Sequence, residues 1–283
     1  MKIINLINKN QVATRSNILI EARHKLNLQE QRFFLWVISC IQPDDKEFEE
    51  YVFNVSTFSE LIDSPDTNSY KSLKEVTKSI IGKVVEVPRE DGKGIIQVGL
   101  ISSADYNYGE GTVSVTVHQK LKPYLLDLKE KFTSIQLKNI MPLRSIYSQK
   151  IYELLKSRQG LGQRKFSVEE LRDKVGLDKG VLSRWDNFET RVLKTSEKEI
   201  NEKTDILIKY EKIKTGRKYT AVNFTIKSNK KNAKKGQLLS PIPQLAEVEA
   251  LIKYGVPKTK AIKLFKDHSE KTTEALESYK NNS

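Results

Sequence analysis

The stretch RWDNFETRVLKTSEKEIN, residues 184–201, has apolar and polar residues at helical spacing. At 100° per residue, its apolar positions gather on one side of a helix and its polar positions on the other. The apolar side comprises Phe188, Val192, Leu193, Ser196 and Ile200. The polar side comprises Asn187, Arg191, Lys194, Lys198 and Asn201. Asp186 followed by Glu189 fits a capping box, so we expect an amphipathic helix that begins near Asn187.

The polar side of this helix has two interpretations. Asn, Arg and Lys are the side chains that pair with base edges or phosphates in a DNA groove. An ordinary surface helix with a solvated charged face would carry similar residues. The segment alone leaves both interpretations open, so the remainder of the chain has to decide between them.

The residues that follow the helix are strongly basic. Residues 206–235 contain ten Lys or Arg against one Glu, a local charge of +9. The whole chain has 49 Lys and Arg against 36 Asp and Glu, a net charge of +13. Such a balance favours a polyanionic partner without identifying it. The basic charge is therefore concentrated directly after the amphipathic helix.

An internal repeat sets the fold class. Each half of the chain has a long helix containing Gln31 or Gln149, and a strand starting at Phe53 or Phe166. A short helix, a basic amphipathic helix and a β-hairpin follow in both halves. The offset is 113 residues at the Phe pair and 118 at the Gln pair. Helices followed by a hairpin are the order of a winged helix, so the repeat predicts an α+β protein with two tandem winged-helix domains.

The predicted organisation has five segments. We expect an N-terminal arm at 1–23, domain 1 at 24–140 and domain 2 at 141–227. A basic linker at 228–244 and a short helical tail at 245–283 follow, since Pro241 and Pro243 interrupt the polar run after domain 2.

Composition and sequence pattern indicate the compartment in which the protein acts. The chain has 283 residues, of which 38% are hydrophobic and 30% charged, enough for two domains with modest cores. No apolar run approaches the roughly 20 residues that cross a bilayer. The N-terminal stretch lacks the apolar core of a signal peptide, and the single cysteine, Cys40, lies in an apolar helical pattern. We expect a protein of the reducing cytoplasm.

The residue types needed for common catalytic sites do not cluster in the sequence. There is no Gly-x-x-x-x-Gly-Lys-Ser/Thr phosphate loop, so ATP hydrolysis is not expected. His24, His118 and His268 are scattered, which argues against a metal-dependent DNA-nicking site. The sequence therefore predicts no enzyme, no cofactor and no metal site.

Candidate DNA contacts follow from the docking of winged helices, in which the second helix enters the major groove and the hairpin touches the neighbouring backbone. The candidates on the 184–201 helix are Arg184, Asn187, Thr190, Arg191, Lys194 and Lys198. Those on the domain 2 wing are Lys212, Lys214, Arg217 and Lys218, for which a solubilising turn is the alternative interpretation. Those on the domain 1 helix are Lys71, Lys74 and Lys78.

Several strings resemble the initiator replication proteins of iteron-type, theta-replicating plasmids. They are LNLQEQRFFLWVIS (26–39), SYKSLKEVTKSIIGK (69–83), IYSQKIYELLKS (146–157) and FETRVLKTSEKEINEKTDI (188–206), continued by the hairpin LIKYEKIKTGRKYTAVNFTI. The resemblance runs from about residue 10 to 227. The tail after Lys227 lies outside it, so no role is carried over to the tail.

This resemblance implies two winged-helix domains that together grip one directly repeated origin site. It further implies a monomer that initiates replication, a dimer that represses its own promoter, and recruitment of the host initiator and replicative helicase. Sequence reading would fall on domain 2, through Asn187, Thr190, Arg191 and Lys194. Domain 1 would give accessory DNA contact through Lys71 and Lys74, and the dimer interface.

Two other function classes remain open from the residues. One is a tandem winged-helix transcriptional repressor without a role in replication. The other is a rolling-circle nicking enzyme, against which the scattered histidines already argue.

Overall fold

Domain 1 contains helices that pack against strands from the N-terminal and the C-terminal parts of its sequence. The computed structural model describes residues 2–4, 11–42, 45–61, 69–89, 91–128 and 131–235. The helices up to residue 140 are α1 (Asn17–Glu21), α2 (Leu28–Ile38), α3 (Val55–Leu61), α4 (Ser69–Ile81), α5 (Lys122–Leu125) and α6 (Leu137–Ile140). The strands are β1 (Lys2–Ile4), β2 (Val12–Ser16), β3 (Glu50–Asn54), β4 (Val84–Pro88), β5 (Ile95–Gly99), β6 (Ile101–Asn107), β7 (Thr112–Val117) and β8 (Phe132–Gln136).

These strands form three sheets. The largest has the order β1-β3-β7-β6, in which β1 is parallel to β3 and the other pairs are antiparallel. The antiparallel pairs β2-β8 and β4-β5 make the other two. Residues 12–21 belong to the segment expected as an N-terminal arm, and they form β2 and α1, which pack within domain 1.

Domain 2 repeats the helix-then-hairpin order with fewer strands. Its elements are α7 (Ile146–Lys156), β9 (Gln163–Ser167), α8 (Val168–Lys174), α9 (Trp185–Phe188), a π-helical segment (Glu189–Lys194), α10 (Thr195–Lys203), β10 (Ile206–Thr215), β11 (Lys218–Ser228) and α11 (Lys230–Lys235). The three-stranded sheet has the order β10-β11-β9. The α9, π-helical and α10 segments are continuous, and we call them together the 185–203 helix. The predicted tail, 245–283, lies outside the described residues.

The start of α2 shows how sequence fixes a helix in this fold. The Asn27 side chain accepts from the backbone N–H of Glu30 at 3.0 Å, and the Glu30 carboxylate accepts from the Asn27 N–H at 2.7 Å. This capping box satisfies donors that the first turn leaves without helical partners. Phe33, Phe34 and Trp36 are then almost fully buried, so α2 forms the centre of the domain 1 core.

With the predicted boundary between residues 140 and 141, a buried polar interface lies between domain 1 and α7, the helix equivalent to α2. Gln31 Nε2 donates to Glu153 Oε1 at 3.0 Å, and Arg15 forms an ion pair with the same carboxylate. Lys150 Nζ donates to the carbonyl oxygens of Ile20 and Ala22 at 2.6 and 3.0 Å. Buried charges are costly unless paired, and here the buried Arg15 is paired with the buried Glu153.

Two predictions about the 185–203 helix are wrong. The helix begins at Trp185, and Arg184 at its N-cap makes no side-chain capping bond. The capping box does not form, because the Glu189 carboxylate accepts hydrogen bonds from other side chains instead. Asn201, expected on the polar face, is partly buried and bonds both backbone groups of Ile208 at 2.6 and 2.9 Å. Asn201 therefore ties the helix end to β10.

Candidate nucleic-acid interface

The turn before the 185–203 helix is held by one arginine. Arg172 on α8 donates to the carbonyl oxygens of Leu182, at 2.9 Å, and Val181. Its guanidinium lies over the Phe188 ring, 5.1 Å from the centroid. Gly176 and Gly180 have φ of +76° and +92°, which glycine adopts without steric cost. Arg172 thus joins α8, the turn and the following helix into one helix-turn-helix unit.

The 185–203 helix has the two faces that its sequence predicts. Phe188, Val192, Leu193, Ser196 and Ile200 are all fully buried. The six candidate DNA-contact residues on this helix are all exposed: Arg184, Asn187, Thr190, Arg191, Lys194 and Lys198. Arg184 lies 3.7 Å from the Asp186 carboxylate, and both side chains are well exposed, so the pair contributes little. The amphipathic pattern is confirmed.

The π-helical segment changes how those exposed residues are arranged. A π-turn contains about one residue more than an α-turn, so it rotates everything after it by about 100°. The Thr195 hydroxyl donates to the Thr190 carbonyl at 2.9 Å within this segment. The straight polar row expected from α-helical periodicity is therefore wrong. Asn187 and Arg191 are turned relative to Lys194 and Lys198, which widens the polar face.

Four side chains join the helix to the wing, and we call them the Glu189 cluster: Trp185, Glu189, Tyr210 and Lys212. The buried Glu189 carboxylate accepts from Trp185 Nε1 at 2.9 Å and from the Tyr210 hydroxyl at 3.0 Å. Lys212 Nζ lies 3.0 Å from its Oε1. Burial opposes ionisation of Glu189, but the hydrogen bonds from Lys212, Tyr210 and Trp185 outweigh it and lower its pKa. The hydrogen bond to Glu189 raises the pKa of Lys212.

The wing carries the other basic candidates near its tip. Gly216 has φ +61° in the turn between β10 and β11, and Thr215 and Thr220 hydroxyls are hydrogen-bonded at 2.9 Å behind it. Tyr219 stacks on Trp185 with ring centroids 4.4 Å apart, and Lys214 Nζ lies 4.7 Å from the Tyr219 centroid. Lys214, Arg217 and Lys218 are exposed and, within the described residues, have no carboxylate at ion-pair distance. Lys212 differs, because it is paired with Glu189.

The domain 1 candidates lie on the exposed side of α4. Leu73, Val76 and Ile80 are buried beneath Lys71, Lys74 and Lys78, which are all exposed. Lys74 Nζ donates to the Tyr108 hydroxyl at 3.3 Å, and Tyr106 bonds Thr77 at 2.9 Å. The β6–β7 hairpin therefore lies beside α4, as the wing of domain 2 lies beside the 185–203 helix.

Sequence reasoning missed Trp185, Glu189, Tyr210 and Tyr219 as parts of this surface. Trp185 and Glu189 are four residues apart, a spacing that brings side chains together on a helix. Tyr210 and Lys212 come from the next strand, and no local pattern predicts that they reach the same carboxylate. Arg172 was also missed, because its partners are backbone carbonyls.

The described residues contain no group of three or more His, Cys, Asp or Glu residues placed to hold a metal ion. Nor does the described part of the chain contain a helix long and apolar enough to cross a membrane.

Comparison with known proteins gives matches over both domains. Residues 12–156 match the family model described as Initiator Replication protein, WH1, and residues 167–226 match Initiator Rep protein, WH2. An uncharacterized 27.6 kDa protein of Escherichia coli is 24% identical over 218 residues, covering 72% of this chain and 91% of that protein.

A solved structure gives the fold. The Pi initiator protein, crystallised in complex with iteron DNA, aligns over 79% of this chain and 100% of its own chain. The TM-score is 0.64 at 21% sequence identity. Together with the two family matches, this confirms two tandem winged-helix domains.

Proposed function

The chain belongs to the initiator replication protein family, and from that premise we propose that it binds directly repeated sites in a plasmid origin as double-stranded DNA. One observation carries the proposal. Domain 2 presents exposed Asn, Thr, Arg and Lys side chains on the 185–203 helix, directly beside a basic wing. The Pi initiator protein, which shares the fold, was crystallised with iteron DNA.

In this proposal the residues divide into two kinds of contact. Asn187, Thr190 and Arg191 lie in the first half of the helix and read base edges in the major groove. Lys194 and Lys198, and the wing residues Lys214, Arg217 and Lys218, contact phosphates. Lys71, Lys74 and Lys78 of α4 give domain 1 a backbone contact without Arg or Asn for base reading.

The later steps belong to the same proposal. The bound protein helps to open the origin and recruits the host initiator and replicative helicase, and as a dimer it represses its own promoter. Domain 1 supplies the dimer interface. The protein acts in the bacterial cytoplasm, where a plasmid resides, and uses no cofactor and no catalytic residue of its own.

Footprinting on the plasmid's own origin tests the proposal. The purified chain should protect the direct repeats and bind them more tightly than random duplexes of the same length. Equal affinity for both, or absence of protection at the repeats, would refute it. A pull-down of fragmented plasmid DNA followed by sequencing identifies the repeats without prior assumptions.

A transcriptional repressor without a replication role is the second candidate, because tandem winged helices serve either purpose. Deleting the coding sequence from the plasmid, with no other copy supplied, distinguishes the initiator from the repressor. Loss of plasmid replication supports the initiator. An origin that continues to fire without the protein supports the repressor.

A further inference from the structure

The Glu189 cluster contains a carboxylate in the middle of a basic DNA-facing surface. An anion at this place opposes phosphate approach, so its presence needs a physical reason. Glu189 is buried, and it accepts hydrogen bonds from Trp185 on its own helix and from Tyr210 on β10. The carboxylate therefore joins the reading helix to the base of the wing.

Lys212 is held by the same carboxylate. Its ammonium lies 3.0 Å from Glu189 Oε1 and 3.2 Å from Oε2, and 5.2 Å from the centroid of the Tyr219 ring. Lys214, two residues further along the same strand, has the Tyr219 ring but no carboxylate within the described residues. Both lysines therefore lie near the Tyr219 ring, but only Lys212 is paired with a carboxylate of the described residues.

We propose that Glu189 is a positioning residue that fixes the angle of the wing to the 185–203 helix and withholds Lys212 from the DNA phosphates. The proposal rests on the proposed DNA-binding function and deepens it. It assigns Lys212, a candidate contact from the sequence, to the protein's own structure. Phosphate contact then falls to Lys214, Arg217 and Lys218.

Withholding one lysine has a consequence for specificity. Each phosphate contact strengthens binding to any duplex, and it adds about 0.9 to the slope of log K against log salt. Base contacts strengthen binding only to the right sequence. Pairing Lys212 with Glu189 therefore lowers affinity for random DNA. The bracing of the wing keeps the base-reading residues of the helix in register on the correct site.

The test is Glu189→Gln in the full chain. With its oxygen in the place of Oε2, the glutamine accepts from Trp185 Nε1, and its amide NH2 in the place of Oε1 donates to the Tyr210 hydroxyl oxygen, whereas the loss of charge frees Lys212. On a random-sequence duplex, the salt slope should steepen by about 0.9. The ratio of affinities for the origin repeat and the random duplex should fall several-fold. Fluorescence anisotropy over a series of salt concentrations measures both.

Matched variants separate positioning from a general structural defect. Lys212→Gln alone should leave the slope at the wild-type value, while Lys214→Gln should reduce it by about 0.9. The double variant Glu189→Gln/Lys212→Gln should return the slope to the wild-type value. A variant that loses structure cannot show this pattern of increase and rescue.

Two outcomes would overturn the inference. The first is a slope reduced by about 0.9 in Lys212→Gln, which would place Lys212 on a phosphate in the wild type. The salt slope of Lys212→Gln also tests the inference if Glu189→Gln fails to fold. The second is a folded Glu189→Gln variant with unchanged slope and unchanged affinity ratio. Wild-type protein that shows no preference for the repeats would instead refute the proposed function.

Discussion

At the scale of single residues, Arg191 offers the sharpest test of base reading. Its guanidinium is exposed on the π-helical segment and has no ion-pair partner among the described residues. An arginine that bonds a guanine edge in two places contributes roughly 1–3 kcal/mol of discrimination. Arg191→Ala should therefore weaken binding to the origin repeat by about that amount and relax preference at one base pair. Competition with repeats substituted at each position measures it. Equal loss on random DNA would contradict base reading.

Gly176 marks a close approach of the two domains. A Cβ at this position would lie 2.8 Å from the His24 carbonyl oxygen, and φ is +76°. Gly180 also has positive φ, +92°, but nothing lies within 4 Å of its Cβ position. Both alanine variants pay about 1–2 kcal/mol for left-handed backbone, and only Gly176→Ala adds a clash. Urea unfolding should show the larger loss of stability for Gly176→Ala. Equal losses of stability in the two variants would mean that the backbone at His24 moves to make room for the added methyl group.

Single residues also show the limit of prediction from sequence. The burial of Val192 and Ile200 and the exposure of Arg191 follow from periodicity, because one helix carries both faces. The partners of Glu189 do not follow, since Tyr210 and Lys212 are 21 and 23 residues away on β10. The sequence fits a capping box between Asp186 and Glu189 equally well. Only the packing of the wing against the helix decides between that capping box and the observed bonds of Glu189 to β10.

At the scale of elements, the proposed phosphate contacts of the wing should contribute to affinity for any duplex and not to sequence specificity. Lys214 is exposed near the hairpin tip and lacks an ion pair within the described part of the chain. Lys214→Ala should weaken binding to every duplex by the same factor and lower the salt slope by about 0.9. Titrations on repeat and random duplexes at several salt concentrations measure this. A loss confined to the repeat would show that Lys214 reads bases.

The sequence predicts the existence of the 185–203 helix but not its detailed geometry. Its existence follows from the apolar spacing, and the hairpin after it follows from alternating residues and Gly216. The π-helical segment does not follow, because the sequence carries no compositional signature of the extra residue per turn. The same holds for domain 1, where the basic stripe of α4 was predicted but the Tyr106 and Tyr108 contacts were not.

At the scale of the whole molecule, the interface between the predicted domains decides how the two candidate DNA-contacting helices are held relative to each other. Sequence repetition predicts two copies of one unit, but it contains no information on how the copies meet. The structure joins them through buried charges, including Arg15, Lys150 and Glu153. Burial lowers the pKa of Arg15 to about 9, and burial followed by the nearby Arg15 lowers that of Lys150. A further buried charge at this interface should therefore lower the stability of the folded chain.

His24 makes this interface sensitive to acid. Its Nε2 lies 3.2 Å from Lys150 Nζ and can accept from the ammonium only while the ring is neutral. Burial, and then the charges of Lys150, Arg15 and Lys83, hold the pKa of His24 well below 6.5. The unfolded chain therefore binds a proton near pH 6.5 that the folded chain does not. Stability from this group is present above pH 6.5 and is lost as the pH falls towards the folded pKa.

Replacing His24 removes that dependence while retaining an acceptor for Lys150. The unfolding free energy of the wild type should fall between pH 6.5 and 5, with a contribution from His24 of up to about 1.4 kcal/mol per pH unit. His24→Gln should show a shallower fall over the same range, because the amide does not titrate. Urea unfolding at pH 5, 6, 7 and 8 measures both proteins. His118→Gln is the matched control, since His118 lies outside the interface and bonds the Lys120 backbone N–H. Parallel curves for wild type and His24→Gln would contradict the prediction, because they would show that His24 binds protons equally in the folded and unfolded chains.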